Sequence, residues 1–143
     1  MRDVMKRRTA RENAFIAAFE ATFHSCELDE IVSYSRECGE YAVDEYGEAL
    51  LMNYAAHLPE IDDLIRSKLK DDWTLERVPR VNRTLLRLAV AEMRFCGQTD
   101  MDSIVINEAV ELSKKYAAGE DDYQFINGVL GSIARDVALS AEG

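Results

Sequence analysis

Residues 81–95, VNRTLLRLAVAEMRF, constrain this chain more than any other stretch because they are apolar around most of a helical circumference. Leu85, Leu86, Leu88, Ala89, Val90 and Met93 cover more than half of a helical wheel, so such a helix has to be enclosed by others. Arg80, Arg83, Arg87 and Arg94 fall near one line at spacings of three, four and seven, which predicts a wet face. Glu92 falls on the apolar side, above Leu85 and Leu88. A lone inward acid has no second carboxylate for acid/base work and persists in a core only when paired. Glu92 is therefore read as a structural acceptor, fed by a neighbouring backbone or arginine, that ties this helix to the next one.

A chain of 143 residues has the length of one domain. It can bury about 70% of its unfolded surface, so the enclosing core needs neither disulfide nor metal. Hydrophobic content of 48% beside 31% charge is ordinary globular composition. Cys26, Cys38 and Cys96 are odd in number and lack C-x-x-C spacing, which reads as idle thiols in a reducing compartment. His24 and His57 have no Cys, Asp or Glu cluster around them, so no metal site and no cofactor is expected. No run approaches eighteen apolar residues, and no apolar h-region follows the charged N-terminus, so a cytoplasmic protein without membrane contact is expected.

The flanking sequence supplies further helices. Thr9-Ala10-Arg11-Glu12 has the form of a capping box, which places the start of a first helix close to Ala10 and leaves residues 1–8 as a mobile arm. Phe15, Ala18, Phe19, Thr22 and Phe23, with Ile16, form that helix's apolar face. A second helix carries Leu28, Ile31 and Val32 and is closed by Cys38-Gly39. A third runs over residues 43–57 until Leu58-Pro59, and Pro59 opens a fourth with Ile61, Leu64, Ile65 and Leu69. Asp71-Asp72-Trp73 breaks the pattern, with Trp73 expected as an anchor packed between two halves.

After the central helix, ended by Cys96-Gly97, residues 104–117 form a sixth, in which Glu111 and Lys115 are spaced as an i,i+4 pair. Gly119 ends it, and Asp121 and Asp122 can cap a seventh, buried along Ile126, Val129, Leu130, Ile133 and Val137. Gly128 and Gly131 each cost on the order of 1 kcal/mol relative to alanine. That predicts close approach of a neighbouring helix there, unless the glycines are simply exposed. Nothing alternates with period two for long enough to make a strand, so the fold class is all-α with seven helices.

No phosphate loop follows a strand, no G-x-S-x-G or H-E-x-x-H occurs, and no Cys/His pair is spaced for nucleophilic work, so an enzyme is not expected. Charge is the remaining cue. The net charge is −10, yet the first eleven residues carry +4, so a short basic segment precedes a body of −14. Lys6-Arg7-Arg8 followed by Arg11 is by itself a weak sign of nucleic-acid binding.

Four ordered stretches carry a resemblance: MKRRTARE at 5–12, LERVPRVNRTLLRLAVAEM at 75–93, INEAVELSKKY at 106–116 and FINGVLGSIAR at 125–135. In order and spacing they are similar to the motifs of the NusB family of transcription antitermination factors, over residues 5–137. The resemblance implies two three-helix subdomains, here about 9–70 and about 75–139, packed together. It also implies binding of the single-stranded boxA element of ribosomal RNA leaders with ribosomal protein S10 (NusE), within an antitermination complex of RNA polymerase and further Nus factors. Both monomers and homodimers occur in the family.

Carried over by residue, the resemblance assigns phosphate contacts to Lys6, Arg7, Arg8 and Arg11, and places Asp121, Gln124 and Phe125 beside the RNA. Phe125 either stacks on an unpaired base or belongs to the buried row with Val129 and Ile133. Glu76 and Asn82 are the candidates for S10 contact, on an acidic body suited to a basic partner. Three departures stand out. Met5, just before the arginines, is a candidate initiator; Asn82 stands where the family favours an acid; Gly131 replaces the usual polar end of its motif. The competing reading is a helical protein-binding scaffold without direct RNA contact. A third, an enzyme carrying this domain in front of an RNA methyltransferase, would need a catalytic domain for which this chain has no room.

Overall fold

A computed structural model describes the backbone of residues 2–23, 27–97 and 100–142, and side chains within 7–23, 27–97 and 100–136. Seven α-helices and no strand occur among the described residues: α1 (Arg2–Ala21), α2 (Leu28–Cys38), α3 (Glu45–Ala56), α4 (Leu58–Arg66), α5 (Arg80–Phe95), α6 (Asp102–Tyr116) and α7 (Asp122–Glu142), with a 3-10 turn at Leu75–Arg77 before α5. As its composition requires, α5 is enclosed by α1, α3, α4, α6 and α7. Leu85, Leu86, Leu88, Ala89, Val90, Ala91 and Met93 are all buried. They join one continuous apolar cluster that also takes in Phe15 of α1, Leu51 of α3, Ile65 of α4, Val105 of α6 and Leu130 of α7. Fully burying each such large side chain contributes about 1.5–3 kcal/mol.

Ion pairs fasten this core helix on every side. Glu92, 3% exposed, takes the Arg11 guanidinium of α1 on both oxygens at 2.8–2.9 Å and accepts the Tyr46 hydroxyl of α3. An arginine is thus the partner, as expected, but the tie runs back to α1 and α3 rather than on to the next helix. The expected wet row of arginines is also a set of clamps. Arg87 makes a forked bond to the buried Asp62 of α4 at 2.8 and 3.0 Å. Arg94 donates to Asp102 of α6 at 3.3 Å and to the Ile133 carbonyl of α7 at 3.1 Å.

The first helix starts at Arg2 rather than at Ala10, so residues 2–8 are its opening turns and not an arm. Nothing in that stretch breaks a helix, and Arg7 and Arg8 find partners on α3 and α6. Thr9 is therefore an interior, exposed position, and the Glu12 side chain turns to Lys115 and Tyr116 instead of closing a capping box. Phe15 and Ala18 are buried as the spacing predicts, whereas Phe23, beyond the helix end, is 58% exposed beneath the Arg80 guanidinium. His24 and Cys26 lie outside the described residues.

The helix ends follow local chemistry. Gly39 and Gly97 both take φ +75°, the left-handed geometry that glycine adopts without strain. Asp44 caps α3 by accepting from the Gly47 amide at 2.8 Å. Gly47 is also where α3 meets α1: a Cβ there would stand 3.1 Å from Val43 Cγ1 and 3.4 Å from the Ala10 carbonyl oxygen. The close approach expected at Gly128 and Gly131 is not found. A Cβ at Gly128 meets nothing within 4 Å, and one at Gly131 meets only the far end of Arg135 at 3.4 Å. Trp73, expected between two halves, is 43% exposed. His57 stacks on Phe95 with ring centres 4.3 Å apart. Burial and the neighbouring Glu92 charge push the Cys96 thiol up, away from reactivity.

Candidate nucleic-acid interface

Helical geometry sorts the basic residues of α1 into two strips, because positions four apart share a face while adjacent ones differ by 100°. Arg7 and Arg11 face α3 and α5. The Arg7 guanidinium lies 3.7 Å from the centre of the Tyr46 ring, and the Tyr46 hydroxyl bonds the same Glu92 that holds Arg11. Arg8 and Glu12 face α6. Arg8 is bidentate to Glu108 at 2.9 and 3.0 Å, with its own side chain 59% exposed and that of Glu108 11%. Glu12 accepts from Lys115 at 2.6 Å and from the Tyr116 hydroxyl.

Partial burial pushes the Glu12 carboxyl up, but the hydrogen bonds from Lys115 and Tyr116 outweigh it and hold the group below the ordinary carboxylate value. Lys115 is in turn raised by its bond to Glu12. The i,i+4 pairing of Lys115 with Glu111 is thus replaced by one across helices, and Lys114 takes Glu111 at 3.4 Å.

Between α1 and α6 these side chains line a groove of about 370 Å³. Arg8, Lys114 and Lys115 face Glu108, Glu111 and Glu12, so each cation has a carboxylate of its own. From this groove the surface continues to the start of α7, where Lys114 Nζ sits 5.0 Å from the Tyr123 ring centre. Asp121 is exposed in the preceding turn, and its carbonyl accepts the Gln124 amide at 3.0 Å. Asp122 folds back to accept from the Gly119 amide at 3.1 Å. Gln124 is exposed, while Phe125 is half-buried against the core, between its two expected fates.

The predicted residues are therefore only partly gathered. Arg8 shares a groove with α6, but Gln124 and Phe125 line a second one, with Trp73 and Lys70. Arg11 is 8% exposed with its charge committed to Glu92, so it presents nothing to a phosphate. Asn82 is 2% exposed inside α5 and offers no surface to a partner protein, because its position falls on the enclosed side of the helix. Glu76 is exposed on the 3-10 turn, with Arg66 at 3.5 Å. The side chain of Lys6 lies outside the described residues. The sequence reading gave Lys115 only an intrahelical pairing and missed Lys114, Lys115 and Tyr123 as members of the candidate interface. The signal for the two lysines was a dibasic pair at the C-terminal turn of a helix; Tyr123 had none.

Among the described residues no three of His, Cys, Asp or Glu are grouped to hold a metal ion, and no helix is long and apolar enough to cross a membrane. The NusB family model matches residues 8–135. The transcription antitermination protein NusB of Bacillus subtilis (strain 168) is 35% identical over 137 residues, covering 95% of this chain and 100% of that protein. Its counterpart in Exiguobacterium sp. (strain ATCC BAA-1283 / AT1b) is 36% identical over 132 residues, covering 92% and 99%. Among solved structures, the antitermination factors NusB and NusE in complex with dsRNA give a TM-score of 0.78 at 30% identity, over 91% of this chain and 96% of the matched one. The solution structure of NusB from Aquifex aeolicus gives 0.73 at 31%, over 94% and 90%.

Proposed function

Because the chain belongs to the NusB family, we propose that it is a bacterial transcription antitermination factor working in the cytoplasm, without catalysis of its own. In this reading it binds boxA-type single-stranded RNA of ribosomal RNA leaders together with ribosomal protein S10, and so joins RNA polymerase and further Nus factors. The relative seen with NusE and RNA supports both partners. The two groups of helices, about 9–70 and about 75–139, are read as the family's two subdomains.

One observation carries the RNA assignment: on a body of strong net negative charge, Arg8, Lys114 and Lys115 collect around the junction of α1 and α6, with Arg7 on the adjoining α3 side of α1, and the surface runs on to Tyr123 and Gln124. Lys6, whose side chain lies outside the described residues, stays in the reading on its sequence position before Arg7. Asp121 borders it, and Phe125 supplies an apolar edge. Glu76 remains the exposed candidate for S10, whereas Asn82 would act only through the packing of α5.

The scaffold reading draws on a specific observation as well, since Arg8 and Lys115 are already neutralised by Glu108 and Glu12. Salt dependence separates the two. Each phosphate contact to single-stranded RNA contributes roughly 0.7 to the slope of log affinity against log salt. Arg7→Ala with Arg8→Ala should therefore flatten the slope by about 1.4 in a boxA titration with S10 present. An unchanged slope would favour the scaffold.

A further inference from the structure

The second groove, between the α4–α5 connector and the first turns of α7, is not explained by packing. It encloses about 400 Å³ and is lined by Lys68, Lys70, Trp73, Gln124, Phe125 and Gly128. Trp73 is a large aromatic left 43% exposed on a connector, with the Arg77 guanidinium 5.4 Å from its ring centre. Gly128 sits inside a helix, where glycine is a cost, yet no neighbour occupies the place of its missing side chain. The absence of that side chain leaves the groove open rather than letting another helix in. Lys68 is bonded to Asp136, while Lys70 is exposed and makes no ion pair with any described residue. One acid, Asp72, shares the lining.

An indole face, an apolar wall and lysines beside them are what an unpaired nucleobase and its phosphate require. Stacking takes any base, and the cation holds the backbone. We propose that this groove is a base-stacking subsite for single-stranded RNA, with Trp73 as the stacking platform and Lys70 as the phosphate contact. Resting on the RNA-binding reading above, it extends the RNA path past Gln124 and Phe125 onto the α4–α5 connector. Tyr123, beside the α1–α6 groove, is the chain neighbour of Gln124, which lines this second one.

Trp73 is the only tryptophan in the chain, so its emission reports on this groove alone. The test is a titration of the full chain with a fluorescently labelled boxA-type RNA, with and without S10, following RNA anisotropy and tryptophan emission together. Binding should quench Trp73 in step with the anisotropy. Trp73→Leu should weaken RNA affinity roughly tenfold, Trp73→Phe much less, and Lys70→Ala should lower the salt slope by about 0.7. Gly128→Leu, whose Cβ would meet nothing within 4 Å, should weaken binding while leaving the melting temperature at or above that of the parent. Anisotropy that saturates without quenching, with Trp73→Leu binding normally, overturns the subsite and leaves the RNA assignment standing. No anisotropy change under either condition removes both. Quenching by S10 alone, with no further change on adding RNA, gives the groove to the protein partner and overturns the proposal.

Discussion

Arg11 and Glu92 are both nearly sealed from water, and the guanidinium donates to that carboxylate through Nε and Nη2. Removing one member strands the other, which costs about 3–5 kcal/mol for a buried pair, whereas replacing both by apolar groups of similar volume is far cheaper. Glu92→Gln should accordingly lower the urea midpoint sharply, and Arg11→Met combined with Glu92→Leu should recover most of the loss. Glu12 gives the residue-scale prediction for acid. Its folded pKa is depressed, so its stabilisation is fully present above the ordinary glutamate value and is lost as pH falls through the lower folded one. Melting curves of the parent and of Glu12→Gln should differ at neutral pH and converge in that acid window.

At the scale of elements, two glycines of opposite meaning sit in helices. Gly47 is pressed between Val43, Asp44 and the backbone of α1, so Gly47→Ala should destabilise by about 1–3 kcal/mol as overpacking. Gly128 faces open space, so Gly128→Ala should stabilise by up to about 1 kcal/mol through helix propensity. Thermal denaturation of the two variants checks both signs. The sequence pointed to tightness at Gly128 because it shows the cost of a helical glycine but not what stands opposite it. Helices α2 to α7 were legible because their periodicity, Pro59, Gly39 and Gly97 act locally. The start of α1 was not, since the partners that hold Arg7 and Arg8, Tyr46 and Glu108, lie far along the chain. Arg11 reads as a surface cation in a basic run, although it shares a face with Ala14 and Ala18. An inward acid needs an inward base, and Glu92 was the clue that one of the arginines had to be withdrawn from the surface.

For the whole molecule, α5 makes any division into halves incomplete, because the same buried cluster runs from Phe15 through Leu85 and Leu86 to Leu130. Unfolding should be a single cooperative event, with far-UV circular dichroism and Trp73 fluorescence reporting coincident transitions in urea. Two separated midpoints would mean that the subdomains come apart independently. The paired charges between α1 and α6 have a further consequence. A polyanion settling there does not find bare cations but evicts resident carboxylates, as on an ion-exchange resin. Isolated phosphates in solution then compete poorly, because displacing one glutamate returns little. A strand that displaces several neighbouring glutamates at once gains from every exchange after the first, so the seam favours densely charged polymers over the small anions of the cell.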